Sequence, residues 1–226
     1  MKTALITGAN KGIGFQTAKE LAELNFNVFL SARNEKKGQE AVKKINKSNV
    51  TFLHLDVSDE ESIEKAARKF GTFNLHLDVI INNAGILLGR KNIIEESKNN
   101  ILETFVTNTL GPILVIQKFL KYLNDNARII NVSSGLGSLN EMSDYAPAYS
   151  VSKAALNAVT KQFSYSLKNK NISINSVSPG WVKTDMGGPF ATRELEEGAE
   201  TIIWLATEAP QKFTGMFFRD KKEILW

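Results

Sequence analysis

Lys2-Thr-Ala-Leu-Ile-Thr-Gly8-Ala-Asn-Lys-Gly12-Ile-Gly14-Phe-Gln-Thr-Ala-Lys-Glu-Leu-Ala-Glu-Leu24 lies at the start of the chain. It holds an apolar run to Thr7, a turn with three glycines, and an amphipathic stretch over 15–24. That order reads strand, glycine turn, helix. Glycines allow a tight turn and close backbone approach, and the first amides of the helix face an anion with a positive dipole end behind them. The spacing is Gly-x-x-x-Gly-x-Gly, not the commoner Gly-x-Gly-x-x-Gly. Taken alone, Gly8, Gly12 and Gly14 fit a pyrophosphate-binding turn and an ordinary strand–helix connection equally well.

The same alternation continues outward. Apolar runs predict strands over 2–7, 27–32, 50–55, 77–81, 127–132, 172–177 and 215–218. Helical patterns fall over 15–24, 35–46, 60–70, 98–122, from Tyr149 to about 168, and over 194–206. Gly111-Pro112 falls inside the longest of these helices, where a proline predicts a bend or joint. Short apolar strands alternating with helices predict an α/β fold: a doubly wound, mostly parallel, seven-stranded sheet with helices on both faces. No linker, repeat or shift in composition divides the 226 residues, so a single domain over 1–226 is expected.

Composition narrows the function. Apolar residues make up 42% and charged residues 23%, ordinary values for a globular protein. No apolar run reaches membrane-spanning length, and the first residues lack the features of a signal peptide. Without cysteine there are no disulfides, thiolate metal sites or Cys nucleophiles. The two histidines, His54 and His76, stand at no ligand spacing, so no metal is expected. A cytoplasmic protein is the simplest reading. The net charge of +4 comes from lysines dispersed over helix faces. That pattern argues against a nucleic-acid partner, which needs a clustered basic patch, and leaves a small pull on an anionic cofactor.

Chemistry enters at Tyr149-Ser-Val-Ser-Lys153, preceded by Ser133-Ser134. On a helix, Lys153 sits one turn from Tyr149. An ammonium beside a phenol favours the phenolate, so Lys153 is expected to pull the Tyr149 pKa down from about 10. Tyr149 is then a candidate general acid/base, and Ser134 a candidate donor to the oxygen it serves. By itself the pair also reads as an ordinary solvated i,i+4 contact. At the tip of the second predicted strand, Ser31-Ala-Arg33-Asn34 carries no carboxylate, and Lys11 can reach the same region. An acid there suits a ribose 2′-hydroxyl and an arginine suits a 2′-phosphate, so Arg33 and Lys11 favour NADP(H) over NAD(H).

Seven stretches then occur in a telling order: Thr7-Gly-Ala-Asn-Lys-Gly-Ile-Gly14, Asp56-Val57, Asn82-Asn-Ala-Gly85, Val106-Thr-Asn-Thr-Leu-Gly111, Ile130-Asn-Val-Ser-Ser-Gly-Leu-Gly137, Tyr149-Ser-Val-Ser-Lys153 and Ser178-Pro-Gly-Trp-Val-Lys-Thr184. In this series the chain resembles the short-chain dehydrogenase/reductase family nearly end to end. The resemblance implies a Rossmann-type fold and assigns roles. Gly8, Asn10, Lys11, Gly12, Ile13 and Gly14 form the cofactor turn, Asp56 and Val57 contact adenine, and Asn83, Ala84 and Gly85 line the cofactor. Pro179, Gly180, Val182 and Thr184 belong to the loop that holds the nicotinamide carboxamide. Asn108, Ser134, Tyr149 and Lys153 form the catalytic set, with Tyr149 and Lys153 also meeting the cofactor. Within that pattern Ser134 lies three residues before Gly137 and Ser133 is still in the strand, while Tyr145 has Tyr149, not a lysine, four residues on.

What the resemblance implies is hydride transfer from NADPH to the carbonyl of a small molecule, Tyr149 donating the proton and Asn108 holding the water that reprotonates Lys153. Run backwards, the same parts oxidise an alcohol. The glycine turn and Pro179-Gly-Trp-Val-Lys-Thr-Asp-Met-Gly-Gly188 look most like the carbonyl reductase and C-factor-like branch. A dinucleotide-binding signalling or regulatory protein with vestigial chemistry is the alternative that this branch brings. Association into a homodimer or homotetramer through the Asn108 and Lys153 helices is a further implication. The segment between Asp185 and Glu194 leaves little length for a substrate cover, so an open pocket is expected. Trp181 and Phe190 read either as its apolar wall or as packed core.

Overall fold

Period-two burial sets the architecture. In β1 (Thr3–Ile6), Ala4 and Ile6 pack on one face of the sheet and Leu5 on the other. In β2 (Asn27–Ala32), Val28 and Leu30 oppose Phe29, and in β4 (Leu77–Asn82), Val79 and Ile81 oppose Ile80. Strands apolar on both sides need helices on both sides. The computed structural model describes residues 1–226 and supplies them. On one face lie α1 (Gly12–Glu23), α2 (Glu35–Ile45) and α7 (Leu195–Thr207). On the other lie α3 (Glu60–Gly71) and α5 (Gly111–Phe119), with α4 (Lys98–Phe105) and α6 (Pro147–Ser166) packed together beside them.

The remaining strands are β3 (Val50–His54), β5 (Leu123–Val132), β6 (Ser173–Val177), β7 (Phe217–Arg219) and β8 (Lys222–Glu223). Their order is β3-β2-β1-β4-β5-β6-β7-β8. All neighbours are parallel except β7 and β8, which form an antiparallel hairpin at the edge. The expected count of seven strands is thus corrected to eight. The added strand has two residues, both exposed, and follows Asp220-Lys221 at positive φ. Two exposed polar residues carry no periodicity from which a strand can be read. The reversal between β1–β4 and β1–β2 leaves a crevice at the carboxyl ends of the strands, the usual ligand position in such sheets.

The helix expected over 98–122 is divided. Val106–Leu110 winds as one wider π turn between α4 and α5, and Gly111 N–H bonds back five residues to the Val106 carbonyl. Pro112 falls in the first turn of α5. Lacking an N–H, it cannot serve the Asn108 carbonyl four residues back. Gly111 is required by close approach, because a Cβ there would stand 2.6 Å from the Val57 carbonyl oxygen.

Several helices begin on a side-chain cap. Asn34 accepts from Lys37 N–H, Asp59 from Glu61 N–H, Ser97 from Asn100 N–H, and Glu194 forms a capping box with Glu197. Such caps satisfy amides that the helix itself leaves free. Helix α1 has none, since its N-cap, Lys11, makes no capping hydrogen bond. Its first amides stay open toward the crevice.

Candidate active site

Ser134 lies two residues past β5 and Tyr149 in the first turn of α6. Tyr149 is 8% exposed, and Ser134 is the polar side chain that acts on its phenol. Ser133 turns the other way, with its hydroxyl toward the Lys153 carbonyl, 3.4 Å off. It has also left the strand proper, though its N–H still bonds Val177 O at 2.8 Å. The pleat therefore aims Ser134, and not Ser133, at the tyrosine.

Lys153 is 3% exposed and its Nζ donates to Val132 O at 2.7 Å. The ammonium lies 5.6 Å from the centroid of the Tyr149 ring. One helical turn therefore places it over the ring and not against the phenol oxygen. The expected lowering of the Tyr149 pKa is corrected accordingly. Burial pushes the phenol up to about 12, and only Ser134 acts downward. Burial also brings Lys153 down to about 8. Near neutral pH the site thus holds a protonated phenol beside an ammonium that is close to releasing its proton.

Asn108 comes from the π turn and is fully buried. Its Oδ1 accepts from Ile86 N–H at 2.8 Å, and its Nδ2 donates to Ile86 O at 2.9 Å and Ser152 Oγ at 3.0 Å. The side chain is thereby committed to fixing the strand-end loop against α6. Gly85 sits between: a Cβ there would stand 3.3 Å from Asn108 Oδ1 and 3.4 Å from Lys153 Nζ. Asn108, Gly85, Lys153, Tyr149 and Ser134 form one continuous group.

The glycine turn is braced from behind. Thr7 Oγ1 accepts the N–H groups of Asn83 and Ala84 at 3.0 and 3.1 Å. Asn83 Nδ2 donates to the Thr7 and Gly8 carbonyls at 2.9 and 3.1 Å. Asn83 therefore builds the turn as well as lying beside it. Gly8 is needed at φ +63, where a Cβ would meet Ala84 Cα at 2.8 Å. Ile13 packs toward the core, and half-buried Asn10 lies in the same turn. Asp56 Oδ1 accepts from Ser58 N–H and Oγ at 2.9 and 2.7 Å, next to buried Val57.

Across the crevice runs the loop after β6. Arg193 donates to Pro179 O at 3.4 Å and closes a double bond to Asp220 at 2.6 and 2.9 Å. Gly180, at φ +78, leaves space for that guanidinium. Buried Val182 bridges to Arg193, and Thr184 Cγ2 would lie 3.5 Å from a Cβ on Gly12. Trp181 is 52% exposed with Nε1 on Gly187 O at 2.8 Å, and Phe190 is 86% exposed. Both lie outside the packed core, at the rim.

Whether a dinucleotide fits can be judged from these residues. The uncapped amides of α1 offer donors to a pyrophosphate, and the turn before them has no side chain at Gly8 or Gly12 to obstruct it. Arg33 is exposed at the tip of β2 without a carboxylate partner, and Lys11 and Lys37 both lie near Asp185 across the crevice. The residues fit a phosphorylated dinucleotide. Sequence reasoning had not singled out Thr7, Ser152, Lys37 or Asp185. Thr7 and Ser152 stood inside the quoted motifs, and Lys37 lies in the first turn of the helix that follows Arg33.

Known proteins resemble this chain in sequence and fold. The sequence model for short chain dehydrogenases matches residues 2–195. "Short-chain dehydrogenase anuI" of Penicillium roqueforti is 34% identical over 98% of this chain and 95% of its own length. "Carbonyl reductase [NADPH] 1" of Rattus norvegicus is 31% identical over 99% of this chain and 98% of its own. That alignment runs over 274 positions against 226 residues here, so the relative carries inserted segments that this chain lacks. Among solved structures, the NADPH-bound carbonyl reductase from chicken fatty liver superposes with a TM-score of 0.93 at 32% identity, covering 100% of this chain and 99% of that one. The carbonyl reductase Sniffer of D. melanogaster gives 0.92 at 32% identity, with full coverage of both chains. The glycine turn, the Ser-Tyr-Lys group and these likenesses lead to one conclusion: the chain belongs to the short-chain dehydrogenase family.

Proposed function

We propose that this protein is an NADPH-dependent reductase that converts a small-molecule aldehyde, ketone or quinone into an alcohol, with Tyr149 as the general acid. The observation that carries this reading is the buried phenol of Tyr149 with Ser134 beside it and the Lys153 ammonium over its ring, a setting in which burial keeps the phenol protonated. A group that must give a proton to a developing alkoxide needs to be protonated at working pH. The cations Lys11, Arg33 and Lys37 around the tip of β2 support NADPH as the cofactor. So do the relatives named as NADPH carbonyl reductases.

Bound in the crevice, the reduced nicotinamide supplies the hydride that the carbonyl carbon accepts. Ser134 Oγ–H donates to the carbonyl oxygen and stabilises the charge that grows there. Tyr149 passes its proton to that oxygen. Lys153 holds its positive charge beside the phenolate left behind, stabilising it electrostatically. The Asn108 side chain is spent on Ile86 and Ser152, which leaves its backbone carbonyl, unserved by Pro112, as the acceptor for a water that reprotonates Lys153. Val182 and Thr184 position the carboxamide, while Asn83, Ala84 and Gly85 shape the wall opposite. The setting is one domain over residues 1–226, working in the cytoplasm. α4, the π turn and α6 leave Leu102, Leu110 and Val151 exposed at 51, 45 and 43%, apolar surface that fits self-association through the Asn108 and Lys153 helices.

A fluorescence titration with NADPH and NADH, followed by a panel of aldehydes, ketones and quinones, tests the reading. Tighter binding of NADPH and carbonyl-dependent loss of its signal are expected. Tight binding without turnover on the whole panel moves the protein to a regulatory role.

A further inference from the structure

An ion pair joins two parts of the crevice that have separate tasks. Lys11 Nζ, in the glycine turn, lies 2.5 Å from Oδ2 of Asp185, in the loop after β6. The two side chains are 67 and 78% exposed. Lys11 holds the Asp185 carboxyl below the usual carboxylate range, and Lys37 adds to this from the first turn of α2. Asp185 thus sits within the field of two of the cations available to a 2′-phosphate. Exposed carboxylate pairs of this kind are weakly held. A phosphate brings close to two charges and three acceptor oxygens to the same ammonium.

Asp185 is not free to move alone. It follows Thr184, whose Oγ1 accepts Gly187 N–H at 3.0 Å and whose carbonyl accepts Gly188 N–H at 2.8 Å. Trp181 Nε1 closes the same loop on Gly187 O. The 181–188 segment is one folded unit, tied to the glycine turn by Asp185 and touching it at Gly12.

We propose that Asp185 is a cofactor-specificity residue acting through Lys11: its carboxylate occupies the place on Lys11 that the 2′-phosphate of NADPH takes over. The phosphorylated cofactor then frees the 181–188 loop from the glycine turn, and NADH leaves it tied. This rests on the NADPH reading above. The choice of dinucleotide is thereby linked to the loop that borders the substrate.

Fluorescence titrations of NADPH and NADH against the full chain test it in a double-mutant cycle. Asp185→Asn keeps the shape and removes the competing charge. It is expected to tighten NADPH about threefold to fivefold and to move NADH less than twofold. In a Lys11→Gln background, which weakens NADPH, the same Asp185→Asn change is expected to have no effect. Unchanged or weaker NADPH binding by Asp185→Asn overturns the inference, as does equal tightening of both cofactors. Persistence of the gain without Lys11 also overturns it, assigning the effect to direct repulsion. Failure of the parent protein to bind NADPH overturns the functional reading, and this inference with it.

Discussion

Tyr149 shows what a local motif leaves unsaid. Its spacing from Lys153 is fixed by the helix, but its pKa is fixed by burial, which pushes it up to about 12. A phenol so placed carries its proton at working pH, and almost none of it is phenolate. Tyr149→Phe preserves the ring and its packing while removing the transferable proton. Turnover is expected to fall at least about a hundredfold with NADPH affinity nearly unchanged, as stopped-flow and binding measurements check. Turnover near the parent value removes Tyr149 from the role. Lys153 gives a second test. Burial brings its pKa down to about 8, so its charged form, which stabilises the phenolate, is lost as pH rises through that value. Tyr149 keeps its proton over the same range. Carbonyl reduction, followed as kcat/KM, is expected to be level below about pH 8 and to fall about tenfold per unit above it. A profile level to pH 10 contradicts this assignment.

At the scale of elements, the glycine turn is a joint between two βα connections, held by Thr7 and Asn83. Gly14 lies in the first turn of α1 under that joint, where a Cβ would stand 2.3 Å from Asn83 Nδ2 and 2.9 Å from Gly8 O. Helix propensity favours Gly14→Ala by about 1 kcal/mol. Overpacking costs about 1–3 kcal/mol, and here one of the crowded atoms is backbone. The clash wins. Lower thermal stability and at least about tenfold weaker NADPH binding are expected, measured by calorimetry and titration. The π turn makes the complementary point. Pro112 was legible as a disturbance of the long helix, but the wider turn forms upstream, at Val106–Leu110, where Asn108 must meet both Ile86 and Ser152. No local signal names those partners.

At the scale of the molecule, the chemistry sits at one end of the sheet and much of the aromatic core away from it. Phe70 packs against Phe29, Tyr122 and Phe119 with ring centroids 4.9, 5.4 and 6.0 Å apart. Phe70→Ala is expected to cost about 3–5 kcal/mol and to lower Tm by roughly 10 °C. The folded fraction should bind NADPH as the parent does, since none of these rings belongs to the cofactor crevice; a marked loss of affinity contradicts that separation. The sequence by itself determined the alternation of strands and helices, the glycine turn and the Tyr-x-x-x-Lys register. These rest on periods of two to four residues, which neighbouring side chains impose on the backbone. Only the tertiary structure decided that Asn83 braces the turn, that Lys153 reaches Val132 O, that β8 completes the edge and that Lys11 meets Asp185, 174 residues away. It also decided the protonation of Tyr149. Desolvation and long-range pairing depend on which segments the sheet brings together, and no spacing along the chain encodes them.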